Sequence, residues 1–391
     1  MEIKQSDTIR IKDAVKLSEK VFNSSFLTSS VIKEDGFSHK NIRLLYKGKK
    51  LVSMACILPR IMYIDGVKVK AAGIAGVATA PDERGKGYAA IITRDAVEFI
   101  KKEGYPLTYL NPYKASYYEQ FGYSPVSFRF KVLDSHHKFN IQRGYAVRKF
   151  EAADKNNIKT MAEIHKKYCA DKTGPVERTI KTWLIGTEYI KKEGKFEGIG
   201  ISPAFMAFKG NKPCAYVLVG PANEKENSGL KISELCFLPG HKDAAEALAE
   251  RALKYAAEKG ESKIYCDYAD ETDFKGLREP DKKEKEIYAS AKHLRMYRSG
   301  NFEELKKVFV PLVQQRFKQK GIKGDFDIKR TEKNMHGEIT LYRSNKAAAR
   351  ITEGTFMKMV LGTPYKIKDN KSIIKAAFPA LKPVYMDFDF L

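Results

Sequence analysis

Apolar residues change their spacing several times along the chain, and each change marks a boundary between elements. From Asp7 to Phe26 the set Ile9, Ile11, Val15, Leu17 and Val21 recurs at roughly helical spacing and stops at the polar pair Ser24-Ser25, which predicts a first helix. The next stretch, NIRLLYKGKKLVSMACILPRIMYIDGVKVKAAGIAGVATA, is strand-like throughout. Lys47-Gly48-Lys49 and Asp65-Gly66 supply the residues that tight hairpin turns need, so it reads as three or four consecutive strands. From Lys86 to Glu103 the period is helical again, with Ile91, Ile92, Ala96, Phe99 and Ile100 on one side and charges on the other. Gly104 ends this helix, and the short apolar run from Pro106 to Leu110 is the next strand.

The chain also resembles itself. AVEFIKKEG at Ala96 to Gly104 is similar to ALKYAAEKG at Ala252 to Gly260. Each copy follows a strand and a proline, GVATAP ending at Pro81 and ELCFLP at Pro239, and the intervals from proline to glycine are 23 and 21 residues. Before the second copy, Phe205 to Ala207 and Cys214 to Val219 form a hairpin about Lys209-Gly210-Asn211-Lys212; after it, Lys263 to Tyr268 repeats the closing strand. This order implies a duplicated domain. Beyond the charged stretch Asp270 to Lys285 the pattern changes once more. His293 to Phe317 reads as one helix through Met296, Tyr297, Phe302, Leu305, Val308, Phe309, Leu312 and Val313. GDFDIKRTEKNMHGEITLYRS reads as a hairpin turning near Asn334, and Ile351 to Leu361 as a short helix. The third unit is therefore α+β, and it closes on the extended, aromatic segment LKPVYMDFDFL.

Length and composition add bounds. A chain of 391 residues exceeds one ordinary core, so about two or three domains are expected. With 43% hydrophobic and 30% charged residues, and no apolar run near the ~18 residues of a membrane span, it reads as globular and non-membrane. The start, MEIKQSDTIRIKD, has no apolar stretch followed by a small-residue cleavage site, so a cytoplasmic protein is expected. Cys56, Cys169, Cys214, Cys236 and Cys266 are odd in number and scattered, as thiols in a reducing compartment would be. No CxxC or HExxH occurs, and the histidines, including His136-His137, lack metal-ligand spacing, so no metal is expected. The net charge of +23 favours acidic partners, from nucleic acid to a phosphorylated cofactor. Lysine is spread along the chain, and no helix-turn-helix is recognisable, so nucleic-acid binding is not expected.

The chemistry concentrates in PDERGKGYAA, between the strand ending at Thr79 and the helix containing Ile91. Arg84, Gly87 and Ala89 fit the pattern R-x-x-G-x-A. Glycine allows close backbone approach, the amides of a helix N-terminus point donors at an anion, and Arg84 and Lys86 add charge suited to a pyrophosphate. A dinucleotide-binding turn would follow a first parallel strand near the start of a unit, whereas this one follows antiparallel hairpins. A P-loop needs Gly-Lys followed by Ser or Thr, and here Lys86 precedes Gly87.

On these residues the chain resembles the GNAT acetyltransferases: GVATAPDERGKGYA is similar to that family's fourth strand and pyrophosphate loop, and SYYEQFGYSP to the segment that carries a catalytic tyrosine followed by F-G-Y. The resemblance implies acetyl-CoA as co-substrate. It assigns Val77, Ala78 and Thr79 to the pantetheine arm, Arg84, Gly85, Lys86, Gly87, Tyr88, Ala89 and Ala90 to the pyrophosphate, and Asn111 to the neighbourhood of the thioester. More narrowly, the layout is similar to the Eis (enhanced intracellular survival) branch. That implies an α+β protein of two tandem GNAT-like α/β domains with mixed, mostly antiparallel sheets, over 1–145 and 146–284, and a sterol-carrier-like α+β domain over 285–391. It also implies a homo-oligomer, a hexamer in that branch. The second copy, PGHKDAAEALAE, lacks the arginine and both glycines of the first turn, which argues against a second cofactor site.

Acetyl transfer to an amine needs a proton for the departing thiolate and a base for the amine. A phenol, with a reference pKa of about 10, stays protonated at neutral pH and can donate, so Tyr118 is the candidate acid by its family position, with Tyr117 and Tyr123 as neighbours that could compete. No Glu or His of the first domain stands out as base. By resemblance to the Eis branch the C-terminal carboxylate, here on Leu391, fills that role, with Asp387 and Asp389 as alternatives. An α-carboxyl near ~3.5 must be raised by burial to serve, and the apolar run Val384 to Leu391 suits that. The implied acceptor is a primary amine on a small molecule or protein, with aminoglycosides, polyamines and lysines as the range. A chain at +23 repels polycations, so a smaller or less charged amine is expected. The alternative is a carrier of a lipid or other hydrophobic ligand with an inactive first domain.

Overall fold

The computed structural model describes residues 1–23, 38–127, 130–139, 144–184, 203–223, 228–266, 276–289, 294–333, 335–361, 374, 377 and 378. They form two compact units, one drawn from 1–62, 68–127 and 294–381, the other from 63–67 and 128–293.

The first unit holds a seven-stranded mixed sheet. Its strands are β1 (Glu2–Gln5), β2 (Ile42–Lys47), β3 (Lys50–Ile64), β4 (Val67–Thr79), β5 (Leu107–Leu110) and β6 (Ser124–Ser127), joined by β14 (Leu294–Ser299), in the order β1-β2-β3-β4-β5-β14-β6. Alternation along the strands sends Leu44, Tyr46, Met54 and Cys56 to a core with Ala14 and Leu17 of helix α1 (Arg10–Phe22). Leu45, Val52, Ala55 and Ile57 go to a second core with Ile92, Ala96 and Ile100 of helix α2 (Tyr88–Lys102). Asp7 starts α1: its carboxylate accepts from the amides of Ile9 (3.0 Å) and Arg10 (2.7 Å).

One expected helix divides in two. The stretch read as a single helix from His293 contains strand β14 and then helix α7 (Phe302–Gln319). Both faces of β14 are covered, since Arg295, Met296, Tyr297, Arg298 and Ser299 are all buried, and a strand buried on both sides loses the alternation that would have announced it. Asn301 caps α7, its side chain accepting from the Glu304 amide at 3.1 Å. Beyond it lie β15 (Phe326–Lys333), β16 (His336–Arg343) and β17 (Lys346–Thr352), an antiparallel meander, and helix α8 (Glu353–Val360). Asn334, the expected turn residue, lies outside the described residues.

The second unit has its own seven-stranded sheet, formed by β7 (Lys131–Asp134), β8 (Tyr145–Phe150), β9 (Ala204–Lys209), β10 (Lys212–Asn223), β11 (Ser228–Phe237), β12 (Lys263–Cys266) and β13 (Leu277–Arg278). Read as β8-β9-β10-β11-β12-β7-β13, it repeats the first sheet position for position, including a sixth strand that comes from a distant stretch of chain. In both sheets the fourth and fifth strands are parallel, and their register ends seven residues before the proline, at Ile74–Leu110 and at Ile232–Cys266. Helix α5 (Lys242–Glu258) packs an alanine-rich face that includes Ala244, Ala245, Ala249, Ala252 and Ala256. Helix α4 (Lys155–Cys169) is capped by Asp154, and helix α6 spans Lys282–Ala289. All five cysteines are buried, and no disulfide joins them.

Candidate active site

A slot opens where β4 outruns β5. Register between them stops at Ile74–Leu110, and β4 continues five residues to Thr79. Gly76, at φ +57°, turns the strand just past that point. The far side of this extension is tied to β3, since the Ser53 hydroxyl donates to the Ala78 carbonyl at 2.7 Å and the Ala80 amide to the Val52 carbonyl at 2.9 Å. Val77 and Thr79 are half-buried and Ala78 is buried, so every second residue faces an accessible groove.

The strand runs through a 3-10 turn, Pro81–Glu83, into the loop Arg84 to Gly87 and helix α2. Gly85 (φ +78°) and Gly87 (φ +79°) adopt the left-handed region, and a Cβ at either would meet nothing within 4 Å. Backbone conformation, not crowding, therefore calls for glycine here. Among the described residues the amides of Gly85, Lys86, Gly87, Tyr88 and Ala89 donate no hydrogen bond, and no side chain caps α2. Convergent free amides at the positive end of a helix dipole form an anion site. Lys86 is turned to the loop's underside, where its ammonium meets Glu83 at 2.7 Å and the Asp82 carbonyl at 3.3 Å. Lys50 also pairs with Glu83, at 3.0 Å, and Lys86 and then Lys50 hold the Glu83 carboxyl below its ordinary range. Arg84 is exposed and makes no ion pair among the described residues. The positive charge open to an anion at this loop is thus that of Arg84 and the amides.

Helix α3 (Ala115–Glu119) carries Tyr117 and Tyr118, and the turn after it carries Tyr123; the three hydroxyls have different commitments. The Tyr117 hydroxyl bonds Thr93 Oγ1 at 3.2 Å, and that of Tyr123 bonds Thr108 Oγ1 at 2.8 Å. The Tyr118 hydroxyl makes no hydrogen bond among the described residues. Its ring is edge-on to both neighbours, with centroids at 4.8 Å and 6.4 Å. It belongs to the core cluster that also contains Ile74 and Leu110, the last parallel pair, and Tyr88, the first residue of α2. Burial pushes the Tyr118 phenol well above its ordinary value, and burial also raises Tyr123, to about 12.

Asn111 is exposed and directly follows β5. Leu391, Asp387 and Asp389, the candidate bases, lie outside the described residues. Reading the sequence did not single out Thr93, Thr108 or Arg298, which fix the tyrosines' surroundings; none belongs to a motif, and Arg298 reaches the site only through β14. Among the described residues no group of three His, Cys, Asp or Glu could hold a metal, and no helix is long and apolar enough to cross a membrane.

Residues 2–126 match the model of a family described as an acetyltransferase (GNAT) domain. No curated protein matches the chain. Among solved structures it is similar to a GCN5-related N-acetyltransferase from Anabaena variabilis (TM-score 0.62, 16% identity, 98% of each chain). It is also similar to a probable N-acyltransferase from Enterococcus faecalis (TM-score 0.62, 15% identity, 98% of each chain). A third likeness is to Eis1 from Mycobacterium abscessus (TM-score 0.59, 12% identity, 99% of this chain and 98% of that one). At such identities these three likenesses speak for the fold. The family match makes the chain an acetyl-CoA-dependent acyltransferase with a GNAT domain in its first third.

Proposed function

We propose that the protein transfers the acetyl group of acetyl-CoA directly to a primary amine, with Tyr118 as the acid. The amine nitrogen attacks the thioester carbonyl carbon, the C–S bond breaks, and the departing thiolate takes the phenolic proton of Tyr118. The observation that carries this reading is the uncommitted Tyr118 hydroxyl in the cluster that contains Ile74 and Leu110, while the hydroxyls of its two neighbours are engaged by threonines. The open amides of Gly85 to Ala89 and the free Arg84 suit the pyrophosphate, and the half-buried edge of β4 at Val77 and Thr79 suits the pantetheine arm. The proton lost by the amine goes to a carboxylate of the tail, that of Leu391 or else Asp387 or Asp389.

The same reading takes the second unit as a GNAT-like repeat without a cofactor site and 285–391 as a sterol-carrier-like domain. The matching strand order of the two sheets supports the first part. The carrier alternative would lodge its ligand in the third segment, where Phe309, Phe356 and Phe378 pack on one another with centroids 5.7 to 5.9 Å apart.

Titrating acetyl-CoA calorimetrically against the native chain and Arg84→Glu, then assaying an amine panel with native protein, Tyr118→Phe and a chain shortened by four residues, tests the reading. Tyr118→Phe is expected to lose on the order of 100-fold in kcat with acetyl-CoA binding kept. Absence of acetyl-CoA binding by the native chain would end the reading, and turnover of polycationic amines equal to or better than that of small amines would end the expectation of a smaller or less charged acceptor.

A further inference from the structure

The motif Phe121-Gly122-Tyr123 has no task once Tyr118 is given one, yet each of its residues meets the segment 294–361. The Phe121 carbonyl accepts from Arg298 Nη1. Gly122, at φ +80°, lies so close to the Met335 carbonyl that a Cβ would overlap it. The Tyr123 ring faces the Arg298 guanidinium, 5.9 Å from its centroid, while its hydroxyl is held by Thr108 of β5. The same turn folds back on Tyr118, whose carbonyl accepts from the Phe121 amide at 3.0 Å and the Tyr123 amide at 3.4 Å.

Arg298 is itself fixed. It is 5% exposed, and its Nε donates to the Ser299 carbonyl at 3.0 Å. The Ser299 amide and hydroxyl donate to Glu353 Oε1, and Glu353 Oε2 accepts from Arg330 Nε (3.1 Å) and Nη2 (2.9 Å). A planar, buried guanidinium that donates to a carbonyl and faces an aromatic ring sets the angle of what it holds, which an ammonium on a flexible stem does not. Both things it holds belong to the turn that carries Tyr118.

We propose that Arg298 is a positioning residue for Tyr118: through the Phe121 carbonyl and the Tyr123 ring it sets where the Tyr118 hydroxyl lies at the slot, so that strand β14 tunes proton delivery to the leaving thiolate. This rests on Tyr118 being the acid. Misplacing a reacting group by an ångström costs up to about 100-fold in rate, so the arm's-length contact is kinetically consequential.

The experiment uses the full chain with Arg298→Met, Arg298→Lys, Tyr118→Phe and the double variant Arg298→Met with Tyr118→Phe, each checked for a native thermal transition. Arg298→Met is expected to lower kcat about 10- to 100-fold while the KM for acetyl-CoA stays within about twofold, and the double variant should be no slower than Tyr118→Phe alone. Arg298→Lys, which keeps a cation and a donor, should recover part of the loss and carries the test if Arg298→Met does not fold. Native kcat in both Arg298 variants, or losses that multiply in full in the double variant, overturns the positioning role while leaving Tyr118 as the acid. Native kcat in Tyr118→Phe overturns the acid and the proposal together.

Discussion

The two sheets diverge at one corresponding point. Seven residues before a proline, each ends its parallel pairing and sends its fourth strand on without the fifth. Two positions later the first unit has Gly76 and the second has Glu234. Gly76 adds no side chain, and a Cβ there would meet Cys56 of the core shared with α1. Glu234 is buried and takes a bidentate bond from Arg178 (3.1 and 2.7 Å) and another from the Tyr216 hydroxyl, while the Arg178 guanidinium covers the Trp183 ring at 4.7 Å. At corresponding places on one framework, the first unit thus has a bare glycine whose Cβ would meet Cys56, and the second a buried carboxylate that demands partners.

Breaking the buried Arg178–Glu234 pair should give the largest effect. With both side chains at 1% exposure or less, Arg178→Ala strands a buried carboxylate, and a loss of about 3–5 kcal/mol in urea unfolding is expected. Replacing the pair together, Arg178→Met with Glu234→Leu, should cost far less, because the charge that needed a partner goes too. A loss under about 1 kcal/mol for Arg178→Ala would mean that the pair does not organise this core.

The loops sharpen the comparison at a smaller scale. Gly87 (φ +79°) and Gly240 (φ +83°) share a left-handed backbone and open surroundings near the starts of α2 and α5. Valine at either should cost about 1–2 kcal/mol of stability, the penalty of a Cβ in that conformation. Only Gly87→Val should also weaken acetyl-CoA binding, by about 10-fold in calorimetry, an estimate that amounts to roughly 1.4 kcal/mol. Equal weakening by Gly240→Val would show that the second unit keeps a cofactor role.

Much of this was legible beforehand, for reasons that differ by residue. Gly85 and Gly87 announced themselves because a left-handed turn ahead of a helix permits few alternatives. The repeat was visible because proline and glycine punctuate both copies at nearly the same interval. Strand β14 was hidden because burial on both faces erased its alternation, and Tyr297 and Met296 suit a helix as well as a strand. The loop's charge was legible as composition but not as direction: that Lys86 bonds Glu83 and leaves Arg84 open depends on rotamers. Arg298 was illegible because its partners, Phe121 and Tyr123, lie some 175 residues away in sequence, and no local pattern encodes such a pairing.

The effects expected of pH are smaller still. In the second unit Arg278 and then Lys263 draw the Glu284 carboxyl down to about 2 despite its burial. A lowered carboxyl contributes stability that is full above its unfolded value of about 4.5 and is lost as pH falls toward 2, because the unfolded chain takes up the proton first. The urea midpoint should therefore drop between pH 5 and 3, and Glu284→Gln should flatten that drop.

In the first unit burial raises Tyr118, so its sign is opposite: the folded state prefers the phenol, and the stability this provides is full below the unfolded value of about 10 and lost as pH climbs above it. For activity the same preference keeps the acid protonated across the whole neutral and mildly alkaline range. With saturating amine, kcat should rise as the amine loses its proton and then hold level to about pH 10, the reference value that burial can only extend here. A falling limb centred between about pH 8 and 9, with the protein still folded by circular dichroism, would require an acid weaker in its hold on the proton than a buried phenol. The open slot would then work through some group other than Tyr118.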